Sequence, residues 1–339
     1  MKTSEATKTQ ETNPLRNFSA VLHEKFSGKN GLIAAAVLAA GGRLFLNWSW
    51  LVSLAVCLAL PARAASSVTL THVHGLSYSA DGKQIFVPSH HGIATYSSGK
   101  WSKAAGPEHD YMGFSSTKQF FYSSGHPIPG SGLVNPFGLI KSGDGGRTWR
   151  KLGLEGETDF HLMATSYGTN AVYVFTHAPN SRMSKPGIYS TVNDGFAWKR
   201  AESRGLDGEP GNLAVHPSNN KIVAAGTKTG LFLSTDGGDN FKRLAGGEQV
   251  LAAFFDLDEK QLWFSSYAGK PALTRLDWSS GKKTNVGLPP LTQDAVAYIA
   301  QNPANRSEYA IATFERNVYV SKNQGKTWVQ IANRGQTTP

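Results

Sequence analysis

The chain has 339 residues, 11% aromatic side chains, 36 glycines and 16 prolines, a β-rich and turn-rich composition that excludes a disordered protein. Its formal net charge of +10 comes from basic residues scattered without a stripe of interleaved aromatics, which excludes a nucleic-acid partner. A single cysteine, Cys57, excludes a disulfide framework.

Residues 1–30 are polar and mixed in charge, and Gly31–Gly42 is small and apolar. An apolar run over 44–60 follows Arg43 and ends in Pro61-Ala62-Arg63-Ala64-Ala65, an A-x-A pattern. That reads as a secretory signal inside a leader of residues 1–64, cleaved after Ala64. The leader is long for a signal, which fits a true start further downstream. Retained, it would be a membrane anchor, the one membrane contact foreseen, although its apolar run is short for a span. Val56 before Cys57 spoils a lipoprotein signal. The mature chain, 65–339, would then carry no cysteine and 27 Lys/Arg against 21 acids, about +6. Export implies the periplasm or the cell surface.

Beyond residue 65, short apolar runs alternate with turn clusters. The runs predict inner strands over His72–Ser79, His109–Ser115, Asp159–Ser166, Asn212–His216, Val250–Leu257 and Ala295–Gln301. Second strands are predicted over Gln84–Ser89, Gln119–Ser123, Ala171–Thr176, Lys221–Ala225, Gln261–Ser265 and Glu308–Thr313. Later in each unit comes a recurring turn. Its best copy is Ser142-Gly-Asp144-Gly-Gly146-Arg-Thr148-Trp149, with weaker ones at Thr191–Trp198, Ser234–Phe241 and Ser321–Trp328. A short carboxylate or amide two residues after Ser/Thr can accept backbone N–H groups inside the loop. The glycine supplies a positive φ, and the last aromatic drops into the core. Spacing between those aromatics is 49, 43 and 87 residues, so one eroded unit lies near Ser280-Gly281 and another ends at Trp101. Six units with room for four strands each predict an all-β, six-bladed propeller over 65–339.

The turn resembles the Asp-box repeat (S-x-D-x-G-x-T-W) of sialidases, sortilin-like receptors and related β-propellers. The chain after the leader resembles exported bacterial Asp-box (BNR-repeat) proteins generally labelled glycosylhydrolase. The stretches that carry this are His74-Gly75-Leu76, His109-Asp110-Tyr111-Met112-Gly113-Phe114, Ser123-Ser124-Gly125-His126-Pro127, Ala178–Met183 and Ala295–Pro303. The label implies carbohydrate as partner. The photosystem assembly-factor propeller, similar in architecture, implies instead a protein-binding scaffold without chemistry. A sialidase is disfavoured, because the Phe-Arg-Ile/Leu-Pro signature does not occur and Arg147, Arg150, Arg200 and Arg243 fall at the recurring turns.

Strand phasing places most histidines on the opposite face from those turns. His72, His74, His109 and His161 start inner strands; His90, His91, His126 and His177 end second strands. Met112 and Met163 lie beside two of them, Met183 follows His177, and Glu108, Asp110, Glu157 and Asp159 join. Imidazole with thioether and no thiol suits copper best, while a His/carboxylate subset suits zinc or another divalent ion. The expected ligands are His74, His109 and His161, then His126, His177, Met112 and Met163, in a metal-handling or assembly role. Taken singly, a histidine more often caps a strand end or bonds a neighbouring blade's carbonyl. The enzyme alternative is a glycoside hydrolase with Asp110 and Asp159 as its carboxyl pair; the same carboxylates could instead orient the histidines.

Overall fold

Each short apolar run becomes a strand because its residues alternate between two buried sheet faces, and each turn cluster ends it. The computed structural model describes residues 68–337. The leader, its apolar run and the cleavage site expected after Ala64 lie outside the described residues. Among the described residues there is no α-helix, and hence no helix long and apolar enough to cross a membrane. The strands form six antiparallel sheets, five of four strands and the last of five, each built in chain order. Neighbouring inner strands pack side by side around a central cavity of about 270 Å³ lined from all six sheets. The protein is a six-bladed β-propeller.

Local chemistry closes the outer hairpins. Ser142 Oγ donates to Asp144 Oδ1 (2.9 Å) and accepts from Gly146 N (2.9 Å), while Asp144 accepts from the N and Oγ1 of Thr148 (2.9 and 2.6 Å). The same net recurs at Ser234/Asp236/Gly238/Asn240 and Ser321/Asn323/Gly325/Thr327. It holds even at Thr191/Asn193/Gly195/Ala197, whose sequence is the most eroded, because Thr and Asn offer the same oxygens. Beyond the first turn, Trp149 stacks on Tyr111 of the inner strand, 4.8 Å between centroids.

The ring closes through both ends of the described chain. Thr69 bridges Gln336, Leu70 N donates to Gly335 O (2.8 Å), and Thr337 Oγ1 donates to Val68 O (2.5 Å). Trp101 of blade one donates its indole N–H to Ile331 O of blade six (2.7 Å), and both residues share one hydrophobic cluster with Val68 and Leu70.

Two inner strands are shorter than the sequence predicts. The strand expected over His72–Ser79 is Ser77–Tyr78, and that expected over Asp159–Ser166 is Leu162–Thr165. In the first case Pro88 of the adjacent strand is responsible: His74 N donates to Pro88 O (3.1 Å), but proline has no N–H to return. The residues ahead of the ladder are thereby free to turn their side chains into the seams between blades.

Candidate functional site

Three imidazoles meet at the seam between blades one and two. His72 and His74 approach on the segment before Ser77–Tyr78, and His90 follows the second strand, Ile85–Ser89. Ring centroids lie 4.6 Å apart for His72–His74, 5.0 Å for His72–His90 and 4.8 Å for His74–His90. One ligand atom from each lies within 4.8 Å of the other two. Asp110, first residue of the next inner strand, Asp110–Ser116, faces them. Its Oδ2 takes a hydrogen bond from His90 Nδ1 (2.7 Å). His74 Nε2 stands 3.3 Å from Oδ1, without the alignment of a hydrogen bond, and 3.5 Å from His90 Nδ1.

Electrostatics at this seam follow from crowding. Burial, then the neighbouring His74 and His90, push the His72 imidazole down to about 4, so it is neutral at pH 7 with a lone pair to offer. Its Nδ1 is buried without a partner. Burial alone would raise the Asp110 carboxyl, but the two rings beside it reverse this and hold it well below the usual carboxylate range.

The other expected ligands are distributed differently. His109 is buried in a separate environment: its Nδ1 accepts from Ile128 N (3.1 Å), its ring packs on Phe137 and Tyr111, and burial lowers its pKa. His126 and His161 belong to the next seam, where Asp159 Oδ2 lies 2.9 Å from His126 Nε2 and 3.3 Å from His161 Nδ1. His177 is exposed and lies 3.5 Å from Glu209. Met163 and Met183 pack together with Phe160 in the core of the second and third blades, while Met112 is half-buried on the inner strand. Glu108 pairs with Lys103 and Glu157 caps Ser181, both at the surface. His216 sits at the far end of its inner strand, packed on Phe255 and Trp278.

A repeating device emerges. In three successive seams, a histidine at the end of one blade's second strand meets a carboxylate at or before the next blade's inner strand: His90–Asp110, His126–Asp159 and His177–Glu209. The second is the tightest latch, since His126 Nδ1 also reaches Asn135 Oδ1 (2.7 Å). The hydrogen bond to Asp159, ahead of the opposing effect of burial, pushes the His126 imidazole up to about 9. A raised folded value means that this contact stabilises fully below about pH 6.5, the unfolded imidazole's range, and is lost as pH rises through 9. An NMR titration is expected to find the His126 ring protons moving near pH 9 in the wild type, and well below that in Asp159→Asn.

No protein-family model and no curated protein matches the sequence. Solved structures do. A GH74 enzyme from Niastella koreensis aligns at TM-score 0.54 and 16% identity over 79% of this chain and 46% of its own. The GH74 xyloglucanase from Xanthomonas campestris aligns at TM-score 0.50 and 14% identity over 79% and 46%. YCF48 bound to D1 peptide aligns at TM-score 0.46 and 18% identity over 78% and 84%. The chain thus spans less than half the length of the two GH74 proteins. At these identities the likeness establishes architecture alone, a β-propeller of the kind that GH74 enzymes share.

Proposed function

We propose that this is an exported propeller that binds one divalent transition-metal ion at the seam between its first two blades. The ligands are His72, His74 and His90, with Asp110 as fourth donor, and the role is metal handling or assembly. The convergence of three ring nitrogens within 4.8 Å carries the reading. Nitrogens bound to one tetrahedral ion at about 2.0–2.1 Å stand roughly 3.3 Å apart, and His74 Nε2 to His90 Nδ1 is 3.5 Å, the ion taking the place of the Nδ1 proton that His90 otherwise gives to Asp110. Three imidazoles and a carboxylate suit zinc and copper(II), with copper(II) the tighter on the general affinity order. The thioethers of Met112 and Met163 add nothing to this set. The Ser/Thr–Asp/Asn–Gly turn nets support reading the chain as an Asp-box propeller, and the A-x-A pattern supports export to the periplasm or cell surface.

Metal-stripped protein titrated with zinc and with copper(II) is expected to take up one ion per chain. The His72→Ala/His74→Ala/His90→Ala variant is expected to take up none while keeping its β-sheet circular dichroism. Equal uptake by the folded variant would overturn the reading.

Glycoside hydrolysis is the second reading, favoured by the GH74 likeness and by Asp110 and Asp159 standing in adjacent seams. It needs one carboxyl that delivers a proton. Asp110 is held ionised by its two histidines, which leaves it the base or nucleophile role. Any activity found on xyloglucan or aryl glycosides should then vanish in both Asp110→Asn and Asp159→Asn.

A further inference from the structure

The seam next to the three-histidine cluster holds a side chain with no place in that cluster. His161 is 62% exposed, with Nδ1 held 3.3 Å from Asp159 Oδ2 and Nε2 bonded to nothing among the described residues. Asp159 is only 13% exposed, is pinned by His126 on the same oxygen, and its Oδ1 is buried without a hydrogen bond. The nearby charge, in contact with Nδ1 though without the alignment of a hydrogen bond, favours the Nδ1–H tautomer, which leaves the lone pair on Nε2 as a histidine base requires. The two seams are joined, because Asp110 and His126 stand directly opposite each other on paired strands, a separation of about 5 Å between Cβ atoms. His74 of the first seam and His161 of the second line the same central cavity.

We infer that His161, oriented by Asp159, is the general base of a hydrolytic site whose electrophile is the cation held by His72, His74 and His90, acting on small neutral carboxylic esters. This rests on the metal-binding reading above. The reaction class follows from the groups present. Cleaving a glycoside calls on a carboxylic acid, whereas opening an acyl carbon–oxygen bond calls on a Lewis acid and a base, and those are what the two seams offer. The substrate class follows from the cavity. Ala252, Phe254, Ala297 and Phe314 give it apolar wall beside a comparable share of polar surface. Its inner hydroxyls are spent on one another across seams, Ser77 to Ser116 (2.5 Å) and Ser115 to Thr165 (2.9 Å). At about 270 Å³ it is smaller than the roughly 300–1,000 Å³ sites that take drug-sized ligands. Its apolar part matches a short acyl chain, and His74 is the cluster residue that reaches its wall.

In the step, the oxygen of a water bonds to the acyl carbon while its proton passes to His161 Nε2. The acyl carbon–oxygen bond then breaks, and the same proton goes to the departing alkoxide, leaving a carboxylic acid and an alcohol. A cation held by the three histidines and Asp110 would supply Lewis-acid polarisation of the carbonyl by accepting its oxygen as a further ligand, with no redox change.

The test uses the full chain loaded with zinc, a series from ethyl acetate to ethyl hexanoate, and acid release followed by pH-stat. Saturable hydrolysis that stops on chelation is expected. His161→Gln should lower kcat at least 100-fold, in line with the roughly 10²–10⁴ a positioned base contributes, with KM and zinc affinity unchanged. Its exposed position lets the variant fold. Zinc bound at one per chain with no ester cleaved, or with His161→Gln as fast as wild type, overturns this inference and spares the metal site. No zinc bound overturns both.

Discussion

Asp110→Asn is expected to weaken binding of zinc or copper(II) by about 10–100-fold, the usual effect of removing a carboxylate that ligates or orients metal-binding imidazoles. The substitution keeps the size of the side chain and removes its charge. In the wild type that charge sits 2.7 Å from His90 Nδ1 and 3.3 Å from His74 Nε2, so both rings are drawn to one point before any cation arrives. An amide can accept from one of them only, and its NH₂ group would confront the other. Since His90 Nδ1–H would also lose part of its acceptor in a half-buried seam, a destabilisation of about 1–3 kcal/mol accompanies the change. Isothermal titration on metal-stripped protein measures the first effect and calorimetric melting the second. An affinity within twofold of wild type would mean that Asp110 neither ligates nor orients, and that the histidines converge for packing alone.

The same residue shows why the site was only half legible in the sequence. Blade number and turn positions could be read because the turn's hydrogen bonds run between residues two and four apart, as from Ser142 to Asp144 and from Thr148 to Asp144. Nothing distant decides them. Strand phasing likewise put His72, His74, His90, His126, His161 and His177 at one rim. Which of them meet is decided by parity, because neighbouring residues on an extended segment face opposite ways. His72 and His74 are two apart and share a seam, and so are Asp159 and His161. His109 and Asp110 are one apart, so the strand that turns Asp110 to the first seam turns His109 away, onto Phe137 and Tyr111. Aligning His74, His109 and His161 as equivalent strand starts misses that one-residue offset. The sequence did contain a signal for it: the carboxylate two residues before His161 and one residue after His109. His90, read from the sequence as the end of a second strand, lies in the turn just after it and in the cluster.

Gly125→Ala should be the most damaging small substitution at this rim. Gly125 belongs to the second strand of blade two, Phe121–His126, directly opposite Tyr111, and has φ +112, a conformation that side-chain-bearing residues rarely adopt. A methyl group there would lie 2.1 Å from Asp110 O and 2.9 Å from Met112 N. Both are backbone atoms, so no rotamer change relieves the contact; the inner strand itself must move. Strain and overpacking together are expected to cost about 3–5 kcal/mol, a fall in melting temperature of roughly 6–15 °C for a domain this large. Because the displaced carbonyl is that of Asp110, metal affinity should fall with stability, although residue 125 carries no ligand. Gly99→Ala separates backbone strain from collision: Gly99 has φ +82 but nothing within 4 Å of the added carbon. It should lose only about 1–2 kcal/mol and bind metal as the wild type does. Should Gly125→Ala melt within about 2 °C of wild type and bind metal normally, the strand carrying Asp110 can yield without cost. The rim would then be too soft to hold three imidazoles at ligand spacing by itself.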